Sequence, residues 1–310
     1  MKYASIIRAV AERPWAIERS KAEEILAFLA LKASGADVDP VAAAVKMQPA
    51  AGGVMRAGSV VVIPVLGTIA HRASWLENAS GGTSTETISR QLRAALDDPS
   101  VQQIVLDVNS PGGSVSGVPE LATEIRAARD EKKLLAIANA SAASAAYWIA
   151  SQATEFWVTP SGKVGSIGVF SMHEDISKAL EAEGVSVSLI SAGKHKVDGH
   201  PFGPLSDEAR IAIQADVDAY YGMFTRDVAK GRGVTAAKVK GGFGEGRMVM
   251  ADAAVSEGMA DRVGTLDEML TKLVGKKQAN TMSAYSPSTA AEQSIADLTK
   301  HLRELTGGKR

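Results

Sequence analysis

The chain has 310 residues, with 34 Lys and Arg against 35 Asp and Glu, a formal net charge of −1 and no cysteine. That balance leaves no electrostatic footprint for bulk nucleic-acid or anionic-membrane binding, and the missing thiol excludes disulfides, thiolate nucleophiles and Cys-ligated zinc. A composition of 45% hydrophobic and 22% charged residues supplies a sizeable core and excludes wholesale disorder.

In chain order, residues 1–55 read as a mostly helical pre-segment. Ser20-Lys21-Ala22-Glu23 has the form of a capping box, and Ile25, Phe28 and Leu29 follow on one helical face. The apolar run that continues to Leu31 and Ala33, with Lys32 inside it, is well short of the ~20 residues a bilayer span needs. No basic flank and small-residue cleavage site accompany it, so neither a membrane span nor a signal peptide is expected. Pro49-Ala50-Ala51-Gly52-Gly53 closes the segment as a linker.

From Ser59 the pattern becomes β-rich. Strands are expected at 60–65, 104–108 and 134–137, with helices at 84–97 and 117–131 between them, which predicts parallel crossover units in a layered α/β core. Further strands are expected at 156–158, 167–170 and 185–190. Ser206-Asp207-Glu208 starts a long helix to about 230, and two closing helices are expected at 250–258 and 266–273. Residues 276–310 form a polar, flexible tail, ending in a short amphipathic helix with Ile295, Leu298, Leu302 and Leu305 on its stripe.

Two segments carry chemistry. Asn109-Ser110-Pro111-Gly112-Gly113-Ser114 ends a strand in a Gly pair, where backbone N–H groups can be aimed at a developing negative charge. As a bare pattern this is also what an ordinary turn looks like. Ser141-Ala142-Ala143-Ser144-Ala145-Ala146-Tyr147-Trp148 follows the next strand and puts a hydroxyl at a helix start, facing the same strand-end crevice. A lone serine among small residues is more often a packing residue. The N–H of Ala145 could complete an oxyanion hole with Gly112 or Gly113. A serine nucleophile needs a base, and His173 or Lys196 are candidates that spacing does not separate. His195 and His200 have weak standing as metal ligands, since no Cys and no helical pair accompanies them.

These landmarks resemble the S49 peptidases, the signal peptide peptidase A family within the ClpP/crotonase superfamily. The resemblance spans about residues 58–275. It includes, in family order, Val164-Gly165-Ser166-Ile167-Gly168-Val169, Ser191 to Pro201, Gly231-Arg232-Gly233, and Gly246-Arg247 ahead of Ala251 to Gly258. It implies a ClpP/crotonase-like fold of repeated ββα units in a peptidase domain at 56–275, no cofactor and no metal, and a homo-oligomer. It also implies a serine endopeptidase with a Ser–Lys dyad. The nucleophile maps to Ser144 and the base to Lys196, which stands five residues before Pro201 as the family's lysine does, although Lys194 is close by. Ser166 would orient the lysine, and Gly113 (or Gly112) with Ala145 would hold the oxyanion. Many relatives carry Gly-Gly where this chain has Ala145-Ala146; alanine keeps the donor but narrows the approach.

The segment from Pro14-Trp15-Ala16-Ile17 to Lys32 resembles the pre-domain of phage-encoded members that mature heads. That implies protein substrates such as phage scaffold, portal and major capsid proteins, in the host cytoplasm or inside the procapsid. Other readings of the same residues are a signal-peptide-peptidase-like enzyme degrading peptides in the cytoplasm, a ClpP-like triad using His173 and Asp175, a crotonase-type acyl-CoA enzyme, and a non-catalytic capsid scaffold.

Overall fold

A computed structural model describes residues 14–18, 21–22, 53–72 and 82–275. The expected helix at 20–33, the linker at 49–53 for the most part, and the tail at 276–310 lie outside the described residues. The elements are β1 (Trp15–Ile17), β2 (Met55–Ala57), β3 (Val60–Leu66), β4 (Ile69–Ala70), β5 (Thr83–Ser84), α1 (Thr85–Asp97), β6 (Gln103–Ser110), β7 (Gly112–Ser114), α2 (Val118–Ala128), β8 (Lys133–Ala143) and α3 (Ala145–Ala150). They continue with β9 (Glu155–Val158), β10 (Lys163–Gly165), α4 (Ser177–Ala182), α5 (Asp207–Arg232), α6 (Ala236–Gly241), β11 (Met248–Met250), α7 (Ala251–Glu257), β12 (Arg262–Val263) and α8 (Leu266–Val274).

The main sheet runs β11-β10-β8-β6-β3-β2, parallel from β10 to β3 with antiparallel strands at both ends. A second, small sheet runs β1-β7-β4-β5. The repeat is visible in the chain order: a long strand in the main sheet, a short strand in the small one, then a helix back. β3-β4-α1 and β6-β7-α2 are two such units, as the family resemblance implied.

Both faces of the main sheet are covered, which is why its strands are near-continuous runs of Val, Ile and Leu. On β3, Val61, Ile63 and Val65 face the larger core under α1, α2, α3 and α5, while Val60 and Val62 face a smaller one under α8. The same alternation sends Leu134, Ala136 and Ala138 of β8 one way and Leu135 and Ile137 the other. Ser84 caps α1 by accepting from the Thr87 N–H (3.1 Å), and Thr265 with Glu268 closes a capping box on α8.

Asp107 breaks the apolar run of β6, 3% exposed. Burial pushes its carboxyl up to about 6, against a hydrogen bond with Asn139 that pulls the other way, and Oδ1 has no partner. A carboxyl whose pKa is raised by folding binds its proton more tightly folded than unfolded. Stability therefore falls as pH rises from about 4 through about 6, and the full penalty of roughly 3 kcal/mol is present above that window. Asp107→Asn is expected to raise Tm at pH 8 and change it little at pH 4 in thermal unfolding scans.

Three sequence expectations differ from the fold. Trp15–Ile17, within the segment read as helical, is a strand, because it pairs with β7. Residues 167–170 form no ladder; Phe170 alone bridges to Trp15. Val185 to Ile190, despite its alternation, has no strand partner among the described residues and is exposed, Ile190 98% so. β propensity needs a neighbouring edge to become a strand, and the described residues offer none there.

Candidate active site

β8 carries β9 along residues 135–138 and then β10 along 141–143, on the same edge. The handover occurs next to Ala140, whose φ is 94°. The strand then runs past the sheet and turns directly into α3 at Ser144. There the backbone takes φ 54° and ψ −117°, a conformation an L-residue adopts only when its surroundings impose it. Those surroundings are the Ser144 N–H on the Gly165 carbonyl (2.7 Å) and the Trp148 N–H on the Ser144 carbonyl (2.9 Å). A serine on a strained strand-to-helix turn projects its Oγ at the end of the sheet. Ser144 is 1% exposed, and its Oγ has no hydrogen-bond partner. Ser141 is unlike it: a half-buried residue inside β8, where the pairing with β10 begins.

The Gly pair meets this turn from the neighbouring strand. A methyl group on Gly112, where φ is +93°, would overlap the Ala16 carbonyl oxygen and lie 2.9 Å from Ala143 O and 3.0 Å from Ala145 N. Glycine is obligatory there on both counts. The Gly112 N–H donates to Ser110 Oγ (3.1 Å), which itself donates to the Gly67 carbonyl (2.6 Å). That leaves Gly113 as the donor of the pair that faces β1. The Ala145 N–H lies in the first turn of α3 and has no intrahelical acceptor. Since α3 has only six residues, these individual N–H groups, rather than an accumulated helix dipole, supply the positive potential.

Ser166 follows Gly165, which pairs with Ala143, so Ser166 stands beside Ser144 one residue past the last pair. It too has positive φ, 53°, and is pinned by its N–H on the Arg247 carbonyl (2.9 Å). Lys196 is not joined to this group. It lies exposed on the turns at 193–200, and its Nζ has no partner among the described residues. Lys194 is tied to Glu208 at 2.7 Å. His173 Nε2 lies 3.3 Å from the Gly203 carbonyl, and Asp175 is held below the usual carboxylate range by the Ser177 hydroxyl first and by the Ser177 N–H that it also accepts from. His195 pairs with Asp198 (2.9 Å) and the His200 ring accepts from the Phe202 N–H (3.2 Å). Among the described residues no cluster of three His, Cys, Asp or Glu could hold a metal ion.

Several landmarks are scaffold. A methyl on Gly231 would overlap the Ser151 carbonyl, so this glycine lets α5 close against the end of α3. Arg232 grips Asp261 with two bonds of 3.0 and 2.6 Å, and Asp261 also accepts from the Phe156 N–H (2.7 Å). Trp148 stacks on Phe224 at 4.5 Å and donates Nε1 to Asp227 (3.0 Å), fixing the helix that begins at Ser144. Tyr147 donates to the Met259 carbonyl (3.0 Å), its phenol pushed up by burial and thus a neutral donor.

Sequence reasoning missed two members of the groove. Pro14 to Glu18 lies along β7, and Phe170 flanks it from the other side. The available signal was a Trp and an Ile, both strand formers, directly after a proline.

Comparison with known proteins agrees with this geometry. The model of Peptidase family S49 matches residues 126–280. Capsid assembly protease C of Escherichia phage lambda is 35% identical over 289 residues, covering 90% of this chain and 63% of that protein. Head-tail preconnector protein GP5 of Enterobacteria phage P21 is 32% identical over 237 residues, 76% of this chain and 47% of that one. Protease 4 of Haemophilus influenzae is 29% identical over 258 residues, 80% of this chain and 40% of that one. The chain thus spans from two fifths to under two thirds of the length of these relatives. No helix among the described residues is long and apolar enough to cross a membrane. The strained Ser144 turn, the Gly pair beside it and the matching family model agree: the chain belongs to peptidase family S49.

Proposed function

We propose that the chain is a serine endopeptidase working through Ser144 and Lys196, on protein substrates in the assembly of a phage head. The observation that carries the reading is Ser144 itself. A buried hydroxyl without a hydrogen-bond partner, on a backbone held at φ 54°, costs stability twice over. Chemistry at that atom accounts for both costs. In the proposed reaction Lys196, neutral, takes the Ser144 proton while Oγ attacks a peptide carbonyl carbon. The oxyanion rests on the Gly113 and Ala145 N–H groups, and the leaving amine takes the proton. Water then hydrolyses the acyl ester with the same lysine as base. Ser166, beside Ser144, would orient the lysine.

Lys196 rather than Lys194 is supported by the ion pair that already engages Lys194 with Glu208. Its delivery to Ser144 requires the exposed segment around 185–205 to settle. That segment shows Val185, Val187, Leu189 and Ile190 to solvent, and Ile211 of α5 is 70% exposed. Packing of a second copy against these side chains would order the lysine turn, which supports a homo-oligomer. Sedimentation should show an assembly larger than the 32.3 kDa chain, and Ile190→Asp with Ile211→Asp should dissociate it and lower activity.

The phage role rests on the printed names of the relatives from phages lambda and P21. Scaffold, portal and major capsid proteins in the host cytoplasm or procapsid are the proposed substrates. The test is twofold: a fluorophosphonate should label wild type and not Ser144→Ala, and co-expression with the head proteins of the same phage should give cleavage only with wild type. Absence of labelling would sink the peptidase reading. Labelling with uncut head proteins would leave a peptide-degrading enzyme.

A further inference from the structure

We propose that this active site's first substrate is its own N-terminal strand, cut between Ala16 and Ile17. The inference rests on the peptidase reading above and goes beyond it by naming a bond.

Pro14 to Glu18 lies extended in the groove beside Ser144, hydrogen-bonded along both edges. On one side it is antiparallel to β7, with Trp15 opposite Ser114, Ala16 opposite Gly113 and Ile17 opposite Gly112. The Glu18 N–H donates to the Pro111 carbonyl (2.7 Å) and the Val115 N–H to the Pro14 carbonyl (3.4 Å). Hydrogen-bonded pairs alternate in an antiparallel ladder. The pair between those two, Ala16 with Gly113, is therefore hydrogen-bonded, and the Gly113 N–H points at the Ala16 carbonyl oxygen. On the other side Trp15 exchanges both of its backbone bonds with Phe170, at 2.9 and 3.0 Å.

This is peptide recognition by strand addition, in which main-chain bonds hold any sequence in one register. The register is specific about which carbonyl is presented. Ala16 O faces the Gly113 donor, and a methyl on Gly112 would overlap this same oxygen while lying 3.0 Å from Ala145 N, so both atoms border the Gly112 position. Those two N–H groups are the proposed oxyanion donors, so Ala16 is the residue whose carbonyl they would polarise. Ala16 is 0% exposed and Ser144 1%, so a second peptide cannot reach the nucleophile while this strand is in place. The buried, unpartnered Ser144 Oγ is the independent sign that the covered site is a reacting one.

In the reaction, Ser144 Oγ bonds to the Ala16 carbonyl carbon and its proton passes through the base to the Ile17 nitrogen as the C–N bond breaks. Water then cleaves the Ser144–Ala16 ester, leaving an Ala16 carboxylate, an Ile17 amine and a free Ser144 hydroxyl. Residues 1–16 become a separate peptide, no longer covalently tied to the domain, and its departure opens the groove to other proteins.

The test is N-terminal sequencing and intact mass of the full chain, as wild type and as Ser144→Ala. The expected result is a chain beginning at Ile17 for wild type, with residues 1–16 retained in the variant. Ile17→Pro, which removes the nitrogen's hydrogen at the cut bond, should also stay whole. A wild-type chain that keeps residues 1–16 while a fluorophosphonate labels Ser144 and casein is hydrolysed overturns the self-processing and spares the peptidase reading. An intact chain with neither labelling nor hydrolysis overturns both. A new terminus at another residue, or one shared by Ser144→Ala, also overturns the proposal.

Discussion

Ser144→Ala is expected to lower turnover of a protein substrate by about 10⁴–10⁶-fold, because the groups of a nucleophile–base pair act as a unit and none replaces the lost oxygen. Lys196→Ala should fall in the same range, and the double variant little further. His173→Ala should keep most activity, since its ring lies near the Gly203 carbonyl rather than on Ser144. An active Lys196→Ala beside a dead His173→Ala would overturn the dyad. Stability should move the other way. The alanine removes an unpartnered buried oxygen, so Tm should rise by the equivalent of about 1 kcal/mol. A gain in stability with a loss of activity at one residue is what a hydroxyl retained for chemistry produces. A merely structural serine would lose both.

Gly113→Ala is the second large effect. Its methyl would overlap the Ile69 carbonyl and approach the Ile69 nitrogen at 2.7 Å, both rigid backbone in β4. β7 must shift to admit it, costing about 1–3 kcal/mol. The same shift would displace the Gly113 N–H from the proposed oxyanion position, and loss of one such donor is expected to lower kcat by about 10²–10³-fold. Gly168→Ala is the control from another landmark motif, because among the described residues no atom beyond its chain neighbours lies within 4 Å of its added methyl. It should change stability by no more than about 0.5 kcal/mol. Denaturant unfolding and steady-state kinetics on both variants separate the two costs.

Much of the architecture was readable because its causes are local. Val60 to Val65, Ile104 to Val108 and Leu134 to Ile137 alternate with helical patterns, and burial of the sheet on both faces requires such runs. The capped starts of α1 and α5 lay at Ser84 and Ser206 for the same reason: a side-chain oxygen satisfies an N–H within three residues. Val185 to Ile190 shows the limit. Its alternation was correct as a pattern, but strand formation depends on an edge to pair with.

By itself the sequence determined the parallel α/β core, the Gly pair at a strand end and the serine motif beside it, since each rests on periodicity or backbone freedom within a few residues. Tertiary structure alone decided the chemistry-bearing details. The φ of Ser144 is imposed by the Gly165 carbonyl of another strand. For the proposed oxyanion donor, Gly113 is favoured over Gly112 because Ser110 Oγ already accepts from the Gly112 N–H. The strand across the groove is set by pairing between Trp15–Ile17 and Gly112–Ser114. Hydrogen-bond partners far apart in the chain leave no trace in local composition, because either partner reads the same with or without the other.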